Sequence, residues 1–225
     1  MGYYIDLKNI SIDKYKEILL KADLLPSRII LKTNIEEHFN VIKKQGVNNV
    51  EELMNALKTK PKLQIFANKS GIPETYLTIL IREINSLRPN PNKIKDFPEI
   101  AENTIQKLEK AGMKTTLDLY SKVLTQKDRS DLAKQTGISE NEILELAKLT
   151  DLSRVRWVNH TFARVLYEAG YDTAEKVAKA DYNELYQKVK QLNAERNLFK
   201  GQIGLHDMKL CVEAAKGLRL EISWE

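Results

Sequence analysis

Apolar residues recur at helical spacing along most of the chain, and the breaks between the runs recur with them. From Leu152 to Thr173, Leu152, Val155 and Val158 mark one apolar face and Phe162, Val165, Leu166 and Ala169 another, on either side of a polar break at Asn159 and His160. This predicts a short helix, a tight hairpin, an amphipathic helix and a glycine that stops it.

The glycine stop locates similar units upstream. Gly46, Gly112 and Gly170 end the runs FNVIKKQG, TIQKLEKAG and FARVLYEAG, precede Val47, Met113 and Tyr171, and stand three residues before Asn49, Thr115 and Thr173. Glycine takes the left-handed conformation past a helix end without a side-chain clash, and an Asn or Thr oxygen accepts an orphan N–H of the next helix. A second glycine, Gly71 or Gly137, follows 25 positions after Gly46 or Gly112, and GIPETYLTIL lies over GISENEILEL at the 66-residue offset between units. The spacing lengthens in the third copy, from Gly170 to Gly204, which predicts a longer middle helix there. Ser139 and Glu142 have capping-box spacing. The expected fold is all-α, built of tandem units.

The ends of the chain follow a different period. YYIDL near the start reads as a short strand, after which Ser11 caps a helix carrying Ile12, Tyr15, Ile18, Leu19 and Ala22. LRLEISWE alternates Leu218, Leu220, Ile222 and Trp224 with polar residues, the period of a half-buried strand. A small two-stranded ribbon formed by the termini is the corresponding expectation. The domain reading is 1–25 as an N-terminal strand and helix, 26–90 as a degenerate first repeat, 91–150 as a second and 151–225 as a third with the C-terminal strand. LRPNPNK supplies the linker near Asn90, because closely spaced prolines do not continue a helix. No Gly or Pro interrupts LTDLSR, which predicts a rigid junction between the second and third units.

Composition narrows the function classes. With 42% apolar and 30% charged residues among 225, several small cores are within reach. No segment approaches the roughly 20 apolar residues of a membrane helix, and Asp6 and Asp13 stand where a signal peptide would be apolar. A cytoplasmic protein without membrane partners is expected. The single cysteine, Cys211, lies in KLCVEAAKGL and reads as a small buried hydrophobe, while His38, His160 and His206 have no second ligand at metal spacing. No P-loop, HExxH, CxxC or GxSxG occurs. The expectation is a binding module rather than an enzyme, with no cofactor, metal or small-molecule substrate.

KIKDFPEIAENTIQKLEKAG and LSRVRWVNHTFARVLYEAG resemble the helix-hairpin-helix motif of DNA-repair and recombination proteins, whose hairpin reads apolar, Gly, apolar, Gly. With their continuations AGMKTTLDL and AGYDTAEKVAKA, they resemble a prokaryotic domain-of-unknown-function family similar to the N-terminal domain of archaeal recombinases, over about Lys93 to Leu218. The resemblance implies an all-helical fold. In members that bind DNA it also implies hairpin glycines that let the backbone approach a phosphate, with the anion held by the next helix N-terminus. Here Glu99 and Ala101 fill the two glycine positions of the second repeat, and Trp157 and Asn159 those of the third.

Charge separates the repeats. Residues 26–90 carry ten Lys or Arg against six Asp or Glu, residues 91–150 ten against ten, and residues 151–225 twelve against eleven. The candidate contacts are therefore Lys43 and Lys44 before Gly46, Lys58, Lys60 and Lys62 in KTKPK, and Arg154, Arg156 and Arg164 around Trp157, Asn159 and His160. Glu99 and Glu102 put negative charge at the second hairpin and argue against contact there. For the third hairpin a second reading stays open, in which Trp157 shields the hairpin core and the arginines pair with Asp151 and Glu168. Two functions follow: binding of DNA or RNA through backbone phosphates, insensitive to sequence, or a protein-interaction scaffold whose hairpins have lost phosphate binding.

Overall fold

The structure, a computed structural model, describes residues 2–225. It divides into two compact units, Gly2–Arg88 and Pro89–Glu225. The first contains α1 (Ile12–Lys21), α2 (Ile35–Lys44), α3 (Val50–Leu57), α4 (Lys60–Ser70) and α5 (Glu74–Asn85), with tighter 3-10 turns at Leu7–Asn9 and Pro26–Lys32. The second opens with a 3-10 turn at Ile94–Asp96 and continues through α6 (Glu102–Lys110), α7 (Thr116–Tyr120), α8 (Gln126–Thr136), α9 (Glu140–Leu152), α10 (His160–Glu168), α11 (Ala174–Lys179), α12 (Tyr182–Arg196) and α13 (Leu205–Lys216). The fold is all-α. No described helix is long and apolar enough to cross a membrane.

Caps set the helix starts. Ser11, Asn49, Thr115 and Thr173 each accept a backbone N–H three residues on, as their side chains predict. Ser139 and Glu142 form the expected capping box, and Thr125 with Asp128 forms another. Gly46, Gly112 and Gly170 have φ of 82°, 81° and 87°. A Cβ added at any of them would meet nothing within 4 Å, so backbone conformation alone reserves these positions for glycine.

At the third long-helix end the expected glycine is replaced. Gly204 has φ −103° and precedes α13, whereas the left-handed residue that closes α12 is Asn197, at φ 48°. Asparagine is the residue after glycine that tolerates this conformation. The middle helix is longer, as its spacing predicts: α12 has 15 residues against 11 in α4 and α8.

Three apolar cores hold the helices. In the first unit Leu7, Ile12, Tyr15, Phe39, Leu53 and Leu77 share one core, so the segment from Leu7 to Leu24 packs with the helices that follow. The second unit has two cores, one around Leu108, Leu119, Leu132 and Ile143, the other around Val155, Phe162, Leu166, Val177 and Val212. Helix α9 enters both, placing Ile143, Leu146 and Ala147 in the former and Leu149 and Leu152 in the latter. An unbroken helix shared by two cores leaves no hinge between them.

The ribbon between the termini does not form, and no strand longer than an isolated bridge occurs among the described residues. Tyr3 is buried and Ile5 packs against the core of the first unit. At the other end, Ser223 donates to the Leu124 carbonyl at 2.8 Å, Arg129 Nη1 donates to the Ser223 carbonyl at 2.8 Å, and Tyr120 Oη donates to Glu221 at 2.9 Å. Ile222 is buried and Trp224 partly buried, as the alternation predicts, whereas Leu220, expected on the same side, is 51% exposed. The tail's partner is the α7–α8 loop, because the loop carbonyl and Arg129 satisfy its backbone groups.

Candidate functional site

The turn before α10 is tight: Val155 N–H donates to Leu152 O at 3.0 Å and Val158 N–H to Val155 O at 3.1 Å. Between them Trp157 is left-handed, with φ 69°. The turn before α6 has the same feature at Glu99, φ 64°, and the turn before α2 has it at Asn34, φ 50°. Glycine-type backbone therefore persists at two positions whose side chains are bulky.

Two of the three candidate arginines face inward. Arg154 is 2% exposed, bonds Asp151 Oδ1 at 2.8 Å and the Arg219 carbonyl at 2.7 Å, and lies 4.7 Å from the Tyr120 ring centroid. Arg164, also 2% exposed, pairs with Glu145 at 2.5 Å and with Glu168 at 3.4 Å, and its Nε donates to the Pro98 carbonyl at 3.1 Å. As phosphate contacts both are corrected: these guanidiniums are internal ties. The spacings Asp151–Arg154 and Arg164–Glu168 suit pairing along a helix, but Glu145 and Pro98 lie far away in sequence and had no local signal.

Arg156 is half-buried and Trp157 is exposed. The Arg156 guanidinium sits 4.0 Å from the Trp157 ring centroid, and Trp157 is 43% exposed. Asn159 caps α10, accepting from Phe162 N–H at 2.8 Å. The His160 N–H donates to Asn92 Oδ1 at 3.1 Å, and its ring meets Phe97 edge-on. Asn92 was not legible as a partner of this turn, because 68 residues separate the two.

At the turn before α6, Glu99 pairs with Arg196 at 2.5 Å, and this contact keeps the Arg196 guanidinium protonated above its ordinary range. Glu102 occupies the first turn of α6. Negative charge thus stands at both places where an anion would bind.

The lysines lie on the first unit. Lys43 pairs with Asp13 at 2.7 Å, and Lys44 is exposed. Lys58, Lys60 and Lys62 surround the start of α4, all exposed and without an ion pair among the described residues, with Thr59 as the cap. Among the described residues, eleven of the thirteen α-helices carry Asp or Glu in the first turn, as the helix dipole favours. The two that carry none are α4 and α10.

Elsewhere the chemistry is quiet. No group of three His, Cys, Asp or Glu that could hold a metal occurs among the described residues. Burial pushes the Cys211 thiol up to about 12, which leaves it protonated and unreactive. His38 packs 4.1 Å from the Tyr76 ring centroid, and burial lowers its pKa.

Fold and side chains together define an all-α protein in which the buried charged side chains Glu83, Arg129, Asp151, Arg154 and Arg164 are paired or hydrogen-bonded within the fold. The chain belongs to the family described as Domain of unknown function (DUF4332), which it matches over residues 98–218. The matched stretch runs from the turn before α6 to just past α13 and includes Trp157. No curated protein and no solved structure matches the chain.

Proposed function

We propose that this protein is a non-enzymatic, cytoplasmic module of helix-hairpin-helix type that binds nucleic acid through backbone phosphates without reading sequence. The observation that carries the reading is the absence of acid from the first turns of α4 and α10, the two helices opened by Lys58, Lys60 and Lys62 and by Arg156, Trp157 and His160. Lysines at a helix N-terminus oppose the helix dipole, and a bound phosphate reverses that penalty. Lys44 adds to the basic face of the first unit, while Arg154 and Arg164 hold the fold. Titration of labelled DNA and RNA at several salt concentrations tests the reading, because each neutralised phosphate adds roughly 0.7–0.9 to the log–log salt slope. A flat slope, or no binding at about 50 mM salt, overturns it.

A second reading has its own support. The His160 and Phe162 N–H groups that would hold a phosphate at α10 are taken by Asn92 and Asn159, and Glu99 and Glu102 repel one at α6. A scaffold that docks a protein partner is consistent with hairpins closed in this way. It becomes the better account if the titration fails.

A further inference from the structure

We propose that Trp157 is a stacking platform for an unpaired base, so that single-stranded nucleic acid is the preferred ligand. This inference rests on the nucleic-acid reading above and names the strand class it takes.

The argument starts from backbone conformation. A bulky L residue at φ 69° is strained, because its Cβ crowds the neighbouring carbonyl. Glu99, under the same strain at the turn before α6, gains an ion pair with Arg196. Trp157 gains the cation–π contact with Arg156, and 43% of its surface stays in water. Strain retained at an aromatic side chain that stays this exposed points to use of the side chain by something outside the fold.

The surroundings fit a base with its phosphate. The Arg156 guanidinium lies 4.0 Å from the indole centroid and steadies the ring while carrying positive charge. The nearest acids in sequence, Asp151 and Glu168, are engaged inward by Arg154 and Arg164. Lys93, exposed, directly follows Asn92, whose side chain holds the first residue of α10. A flat aromatic face beside fixed and flexible cations suits an unstacked base and its phosphate, whereas a duplex keeps its bases stacked and offers only phosphates. Every base has a π-face, so the platform remains indifferent to sequence.

The test uses the full chain with Trp224→Phe, which leaves Trp157 as the sole indole. Three probes of equal length are compared: an oligo-dT strand, an abasic strand with the same phosphates, and a duplex. The dT strand is expected to quench Trp157 emission and to bind about tenfold more tightly than the abasic strand, as one stacked base provides. Trp157→Gly is expected to reduce dT affinity to the abasic level without lowering the melting temperature, since glycine suits the backbone there, and Trp157→Phe to keep the preference. Equal binding of dT and abasic strands with unchanged emission overturns the inference and leaves the backbone reading in place. A fall in melting temperature for Trp157→Gly shows a packing role and also overturns it. Failure of all three probes to bind at low salt overturns the nucleic-acid reading itself.

Discussion

Asp151 Oδ2 accepts the Ala174 backbone N–H at 2.8 Å, where in the preceding segment the Asn92 carbonyl accepts the Thr116 N–H at 2.9 Å. A side chain at the end of α9 thus replaces a backbone bridge, and its other oxygen binds Arg154. Asp151 is 2% exposed, so both oxygens are desolvated and both are satisfied by the protein. Asp151→Ala leaves Arg154 buried without its counter-charge and should destabilise the Pro89–Glu225 unit by about 3–5 kcal/mol in urea unfolding.

Gly170, at φ 87° with open space where a Cβ would stand, isolates backbone strain from crowding. Gly170→Ala should therefore cost about 1 kcal/mol, read as a lower urea midpoint at unchanged m-value.

Arg164→Ala and Arg156→Ala should separate fold from binding. The first exposes the Glu145 and Glu168 carboxylates to each other and orphans the Pro98 carbonyl, and should lower stability by roughly 1–3 kcal/mol. Arg156→Ala should weaken nucleic-acid affinity and cost less stability than Arg164→Ala. Equal stability losses in the two variants would count against the division drawn between the buried and the half-buried arginine.

Replacing Lys58, Lys60 and Lys62 together with Ala should lower the salt slope of binding by about two units or more, while stability rises by a few tenths of a kcal/mol as cations leave the N-terminus of α4. Thermal melts and salt titrations of the same variant check both halves.

Acid should weaken the second unit through its caps. Bonds from Ser139 and then Thr104 hold the Glu142 pKa below its ordinary value, and a bond from Thr115 does the same for Asp118. A depressed carboxyl contributes stability that is present above its unfolded pKa, roughly 4, and is lost as pH falls through the lower folded pKa. Glu142→Gln should flatten the acid limb of a stability-versus-pH curve; an unchanged limb would show that this cap does not set it.

Local chemistry determined by itself whatever depends on a few adjacent residues: the helices and their caps, the left-handed turns at Gly46, Gly112 and Gly170, and the uninterrupted run through α9 that allows two cores to share a helix. The tertiary structure decided which charged groups face inward, because side-chain direction depends on partners distant in sequence. Arg154 and Arg156 are two residues apart, yet one is tied to Arg219 and Asp151 while the other lies on an exposed indole. Alternation in the C-terminal tail marked Ile222 for burial but not its place against Leu124 and Arg129, since it gives the period of a segment and leaves its neighbour open. Packing alone showed that Asn197 takes the role expected of Gly204 and that a tryptophan occupies a glycine's conformation, since backbone angles are set by the turn that the surrounding helices impose.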